Sequence, residues 1–124
     1  MYLYLLPDLT VAPEIRQAAA YGIGVAAHHG GAQFAGFCAM ALDPLFQCIA
    51  RPDAREEDHV YATENACAAI AKIIHFNASG VSNLDNVISS WLDTLPIIND
   101  EEEAPHAYNI LMDLVERYSI CLLL

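Results

Sequence analysis

The sequence predicts an all-α fold, a short α-solenoid of about two and a half helical hairpins. Three observations predict it. Five segments place their apolar residues at i, i+3, i+4, i+7 spacing, and none alternates as a strand would. Pro, Gly and polar clusters divide these segments. An Ala-rich helix, "APEIRQAAAYGIG", also recurs at an offset of 47 within "ATENACAAIAKII", pairing Ala19 with Ala66, Gly22 with Ala69, Ile23 with Ile70 and Gly24 with Ala71. At 124 residues the chain suffices for one compact domain with a continuous core.

The first helix opens at Pro13, which suits a first turn, with Glu14 near its positive end. Gly30-Gly31 stops it, and Ile15, Ala19, Gly22, Ile23 and Ala26 share one face. The second runs from Gln33 to about Ala50 on a stripe of Phe34, Phe37, Cys38, Ala41, Leu42, Leu45 and Ile49. Pro44 is expected to kink or split it near Leu42, because the ring removes a hydrogen bond. "RPDAREEDH", residues 51–59, is a polar linker, and the third helix follows from about Val60 to Phe76. After the loop "NASGVSN", Asn83 is placed to cap a fourth helix carrying Leu84, Val87, Ile88, Trp91, Leu92 and Leu95, which Pro96 ends. "NDEEE" supplies a cap and acidic first turn for a fifth, with Ala104, Ala107, Leu111, Leu114, Val115 and Tyr118 turned inward. The division is a hairpin over 12–50, a hairpin over 59–95 and an unpaired helix over 100–118, with the third helix sandwiched between the second, fourth and fifth.

The 47-residue period lies at the upper end of the two-helix HEAT range of roughly 40–47 residues. Small side chains let helix axes approach closely, so a thin helix can be clamped as one layer of a stack. Alanine is also the best helix former, so similarity between Ala-rich helices can arise by chance. The matching order of long apolar helix, loop and thin helix favours a repeat, and the predicted class is a HEAT-repeat α-solenoid.

Composition narrows the function. The 56% hydrophobic content excludes disorder, and no run of apolar residues reaches the roughly 18–20 needed to span a bilayer. "MYLYLLPDLT" has no basic region and is broken by Pro7, which makes it a poor secretory signal. Cys38, Cys48, Cys67 and Cys121 lie far apart without metal-finger spacing and read as buried small hydrophobes of a reducing compartment. Sixteen acidic against five basic residues give a net charge of −11, which disfavours nucleic acid and anionic membranes and suits a basic partner.

"EIRQAAAYGIGVAAHHGG", "FAGFCAMALDPL", "ATENACAAIAKIIHF" and "VISSWLDTLPIINDEEEAPHAYNILMDLVE" together resemble the C-terminal HEAT repeats of importin-beta karyopherins. The likeness is greatest to the Ran-binding import receptors that carry ribosomal proteins and histones, and covers about residues 12–117. It implies a nuclear transport receptor working between cytoplasm and nucleus, whose family partners are basic cargo, the GTPase Ran and FG-repeat nucleoporins. The Ran contacts of that family lie mostly outside this region, so no Ran-binding residue is carried over. The ends, "MYLYLLPDLT" and "YSICLLL", depart from the family pattern, as expected of a truncated gene product or a trimmed piece.

Enzyme chemistry finds no footing in the sequence, and no catalytic, cofactor or metal site is predicted. His28-His29 diverge by about 100° on a helix and make a poor chelate; a role near the negative helix end is expected instead. Cys38 and Cys48, ten residues apart, are expected to have no nearby basic activator and so no catalytic thiolate. Asp53, Glu56, Glu57 and Asp58 lack the alternating ligands of a calcium loop and read as a solvated linker. Gly22-x-Gly24 lies inside a helix and is no phosphate loop.

A binding surface is the more informative reading. In a HEAT superhelix the second helix of each hairpin lines the concave side, so the fourth helix presents Asp85, Asn86, Ser89 and Asp93 as candidate cargo-binding residues. Asp85, Ser89 and Asp93, at i, i+4 and i+8, form an acidic strip that suits Lys- or Arg-rich cargo and equally describes an ordinary wet face. Trp91 lies on the apolar stripe and belongs to the core. Two functions remain open: a transport-receptor segment acting through protein–protein contacts, and a HEAT scaffold module without a transport role. Uncovered solenoid ends, with "MYLYLL" at one and "ICLLL" at the other, add an expectation of self-association.

Overall fold

The computed structural model describes residues 2–118, and every regular element among them is helical. Five α-helices follow in order: α1 (Pro13–His29), α2 (Ala35–Ile49), α3 (Val60–Phe76), α4 (Leu84–Leu92) and α5 (Glu103–Tyr118). Short 3-10 turns occupy Tyr2–Leu5, Ala32–Phe34 and Ala78–Gly80. The expectations placed on Cys121 and on the tail "ICLLL" fall outside the described residues.

α3 is the centre of the molecule. All its residues except Tyr61, His75 and Phe76 are buried. It packs on α2, α4 and α5, as expected, but its most extensive partner is α1. The physical reason is thinness on both sides. A Cβ at Gly24 of α1 would stand 3.6 Å from the Ala69 Cα and 3.3 Å from the Lys72 Cδ of α3, so the two helices are already in contact. Both ends of α3 lie 47 positions beyond those of α1, the offset of the sequence repeat. α1, α3 and α5 thus lie side by side, with α2 and α4 over the remaining sides of α3. α5 has no hairpin partner among the described residues and rests its Ala107, Ile110 and Leu114 in the common core.

That core also holds Leu6, Leu45, Ile70, Ile73 and Trp91, all fully buried. Each aliphatic side chain there contributes about 1.5–3 kcal/mol by leaving water. Trp91 keeps its polar edge satisfied, donating Nε1–H to the Cys67 carbonyl at 3.0 Å. Leu6 shows that the apolar start of the chain is partly absorbed by the core.

Several local expectations are corrected. α1 buries Arg16, Ala20, Ile23, Gly24 and Ala27, so its inner face is rotated away from the predicted one. Ile15 is half exposed and Gly22 faces open space. α2 runs unbroken through Pro44. The carbonyl that Pro44 leaves without its helical donor belongs to Met40, a residue 69% exposed, where water can replace the donor. Asn83 makes no side-chain cap; it takes a left-handed φ of 55° and turns the chain into α4. α4 is also shorter than its apolar pattern. It stops at Leu92, where the Thr94 hydroxyl and N–H both bond the Trp91 carbonyl, at 2.6 and 2.9 Å.

α2 is the most apolar helix, with a mean hydropathy of 1.2 over Ala32–Ile49, enough by length and composition to cross a membrane. Its burial is one-sided, as in an amphipathic helix packed on a core. Cys38, Ala41, Leu42, Leu45 and Cys48 are buried within the protein, while Asp43 and Gln47 face out.

Candidate protein-binding faces

The four candidates of the fourth helix are exposed, but they do not form one site. Asp85, Asn86 and Ser89 lie on α4 and Asp93 follows its last turn. Asn86 borders a groove of about 550 Å³ between α2 and α4, floored by Leu42, Phe46, Val81 and Val87. Asp93 borders a different hollow of about 390 Å³, together with Arg55, Leu95 and Pro96. Asp85 and Ser89 line neither.

A third groove, between α1 and α5, was not read from the sequence. It consists of two adjoining hollows of about 260 Å³ each, both lined by Tyr21, Glu102 and Glu103. Glu14 and Asp100 make one end acidic, whereas His28, His29 and His106 line the other. Asn65 and Lys72 of α3 reach into it from below, and the Lys72 ammonium lies 5.9 Å from the Tyr21 ring centroid. Only tertiary structure brings Glu14 within one groove with Glu102, 88 positions later in the chain.

Much of the polar chemistry near these faces is committed to holding the fold. Lys72 forms a buried pair with Glu103, 2.9 Å from Oε2 and 3.2 Å from Oε1. The consecutive polar residues Thr63, Glu64 and Asn65 each fasten a loop. Thr63 donates to the Ala54 carbonyl at 2.6 Å. Glu64, fully buried, accepts the backbone N–H groups of Ile98, Asn99 and Asp100. Asn65 donates to Asp100 at 2.8 Å, and Asp100 in turn accepts from the N–H groups of Glu102 and Glu103 at the start of α5. Arg55 adds bonds to the Thr94 and Pro96 carbonyls. The signal was visible, since three polar residues interrupt an otherwise apolar helix, but a sequence does not name their partners.

The 51–59 linker keeps Glu56, Glu57 and Asp58 exposed, as expected, but ties Asp53 to Arg51 and His59. Asp53, Glu56 and His59 come close enough for their ligand atoms to surround a cation. Their existing bonds do not fit one. Asp53 is held by Arg51 at 3.0 and 3.2 Å, and this guanidinium keeps its carboxyl below the ordinary range. His59 Nδ1 lies 2.7 Å from Nη2 of the buried Arg16. Arginine only donates, so Nδ1 is the acceptor and the His59 proton sits on Nε2, 3.3 Å from Asp53. Both imidazole nitrogens are therefore occupied by protein.

The remaining reactive groups are quiet. Cys38, Cys48 and Cys67 are buried free thiols, each pushed up in pKa by burial; contrary to expectation Cys48 does have basic neighbours, Arg16 and Arg51, but burial outweighs their pull. His28 is stacked between His29 at 4.0 Å and Phe76 at 4.4 Å. Desolvation holds its pKa below the ordinary value, with smaller contributions from His29, Lys72, His106 and His75.

No protein-family model matches the chain. Curated proteins that resemble it include the following importins. Importin subunit beta-3 of Saccharomyces cerevisiae is 42% identical over 119 residues, 92% of this chain and 11% of that protein. The probable importin-5 homolog of Dictyostelium discoideum is 30% identical over 118 residues, again 92% and 11%. Importin-4 of Mus musculus is 32% identical over 91 residues, 73% of this chain and 8% of its own. The chain spans about a tenth of the length of these relatives. Its string of helical motifs, its all-helical stack and its likeness to three importins place the chain in the importin-beta family.

Proposed function

We propose that this chain works as a protein-binding segment of a nuclear transport receptor, in nucleocytoplasmic import rather than in catalysis, and resides in cytoplasm and nucleus. The observation that carries this reading is the 42% identity to importin subunit beta-3 across 92% of the chain. The hairpins over 12–50 and 59–95 and the helix over 100–118 serve in it as successive HEAT units. Basic cargo is the proposed partner of the acidic faces, with Asp85, Asn86, Ser89 and Asp93 as the α4 contacts. FG nucleoporins are proposed for the apolar-floored groove between α2 and α4, since a phenyl ring suits Leu42, Phe46 and Val87. Self-association at an open end of the stack completes the proposal.

The test is capture of Lys- and Arg-rich import signals and of FG-repeat peptides by the purified chain. Cargo binding along α4 requires Asp85→Lys with Asp93→Lys, and added salt, each to weaken the basic signal strongly. Unchanged affinity after that charge reversal returns these residues to solvated surface. Failure to bind both probe classes leaves the HEAT scaffold reading in place.

A further inference from the structure

The groove between α1 and α5 has both walls and its floor among the described residues. Its lining repeats with the helices. Ala18 and Val25 line it on α1, and their counterparts at the offset of 47, Asn65 and Lys72, line it on α3, which has a helix on either side. This face therefore looks into the groove even in a flanked repeat. At the acidic end the groove holds unmet acceptors. Asp100 and Glu103 are spent on Asn65, Lys72 and the N–H groups that open α5. The exposed carboxylates of Glu14 and Glu102 have no partner among the described residues. On the floor, Asn65 is only 4% exposed, and its Nδ2 donates to the Tyr61 carbonyl at 2.9 Å and to Asp100 at 2.8 Å. Its Oδ1 accepts nothing from the described residues and keeps its access through the hollow that Asn65 lines. A polar side chain buried this far is normally satisfied, so the floor lacks a donor.

We infer that this groove holds an arginine of an extended segment of a partner protein. Tyr21, half exposed, borders both hollows and offers its ring as a platform. A planar guanidinium stacks on such a ring and forks onto carboxylates, here Glu14 on one wall and Glu102 on the other; a lysine ammonium, a compact point charge, matches that arrangement less well. The Lys72 ammonium near the same ring is paired with Glu103, which reduces its repulsion of a second cation. Asn65 Oδ1 accepts a backbone N–H of the segment, and only an extended segment has such groups free, since a helix spends them on its own carbonyls. This inference rests on the basic-cargo reading above and adds to it a place and a residue.

An NMR titration of the isotope-labelled full chain tests it, with a short Gly/Ser peptide carrying one central arginine and with its lysine and citrulline counterparts. The arginine peptide should shift the Asn65 side-chain amide, bind more tightly than the lysine peptide, and lose its binding on change to citrulline. Glu14→Gln with Glu102→Gln, and separately Tyr21→Leu, all at exposed positions, should each weaken it about tenfold, while Asp85→Lys with Asp93→Lys leaves it unchanged. Groove variants with the parent's affinity, or a lysine peptide bound equally well, overturn the inference. If the arginine peptide moves no groove resonance while Lys- and Arg-rich import signals still bind, the groove falls and the basic-cargo reading stands. If neither probe binds, both fall.

Discussion

The Oε1 of Glu64, in the middle of α3, accepts the backbone N–H of Asp100 at 2.7 Å, across 36 residues of chain. The same carboxylate takes the N–H of Asn99 at 2.8 Å and that of Ile98 at 3.2 Å. One buried side chain thus does for the loop before α5 what a sheet partner would do for a strand. Glu64→Ala removes the shared acceptor of these part-buried donors, which water can only partly replace, and should cost about 1–3 kcal/mol. Glu64→Gln keeps one acceptor oxygen and should cost less. Urea denaturation of both variants checks the order; equal stability of Glu64→Ala and the parent would refute the clamp.

The Lys72–Glu103 pair ties α3 to the first turn of α5 while flooring the α1–α5 groove. Removing one partner leaves a charge buried without its counterion, and Lys72→Met or Glu103→Gln alone should cost about 3–5 kcal/mol. The double substitution should be less damaging than the two losses added. A double-mutant cycle on chemical denaturation reads the coupling, and strict additivity would show that the pair is solvated.

Two glycines of α1, two residues apart, should behave oppositely. Gly22→Ala meets open space and should stabilise the helix by about 0.5–1 kcal/mol. Gly24→Ala presses on Lys72, which Glu103 holds in place, and should forfeit that gain. On the facing helix, Ala69→Leu should overpack the α1–α3 contact at a cost of about 1–3 kcal/mol. Thermal melts of the three variants suffice. A melting temperature unchanged by Ala69→Leu would remove the close-packed-layer argument.

Acid should loosen the histidine end of the molecule. Burial lowers the folded pKa of His28 below the ordinary 6.5, so the folded state binds its proton less readily than the unfolded chain. The corresponding stability is present above 6.5 and is lost as pH falls through the folded value. Asp53, lowered by Arg51, adds a second loss further into the acid, below the ordinary carboxylate value of 3.8. His28→Phe keeps the stack on Phe76 and should flatten the first part of the stability profile between pH 7 and 5. A profile identical to the parent's would place that pH dependence elsewhere.

The sequence by itself determined the helical class, the order of five helices, the limits of α1 and α3 and the 47-residue register that relates them. These are local or periodic properties: Pro13 and Gly30-Gly31 act on their own neighbours, and apolar spacing reports a period whatever it packs against. It also determined that Trp91 is core, because its stripe left no other place for it. Which side of α1 is inner depended on tertiary structure. The stripe of Ile15, Ala19 and Gly22 matches the buried stripe of Ala62, Ala66 and Ala69 on α3, but α1 turns its Ala20 and Gly24 side to α3. The passage of α2 through Pro44 depended on Met40 facing water, and the end of α4 on Thr94 folding back to Trp91. The uses of Glu64, Lys72 and Arg16 were beyond the sequence for one reason. A buried polar side chain is defined by its partner, and the partners lie 36, 31 and 43 positions away, at distances that only the packed helices fix.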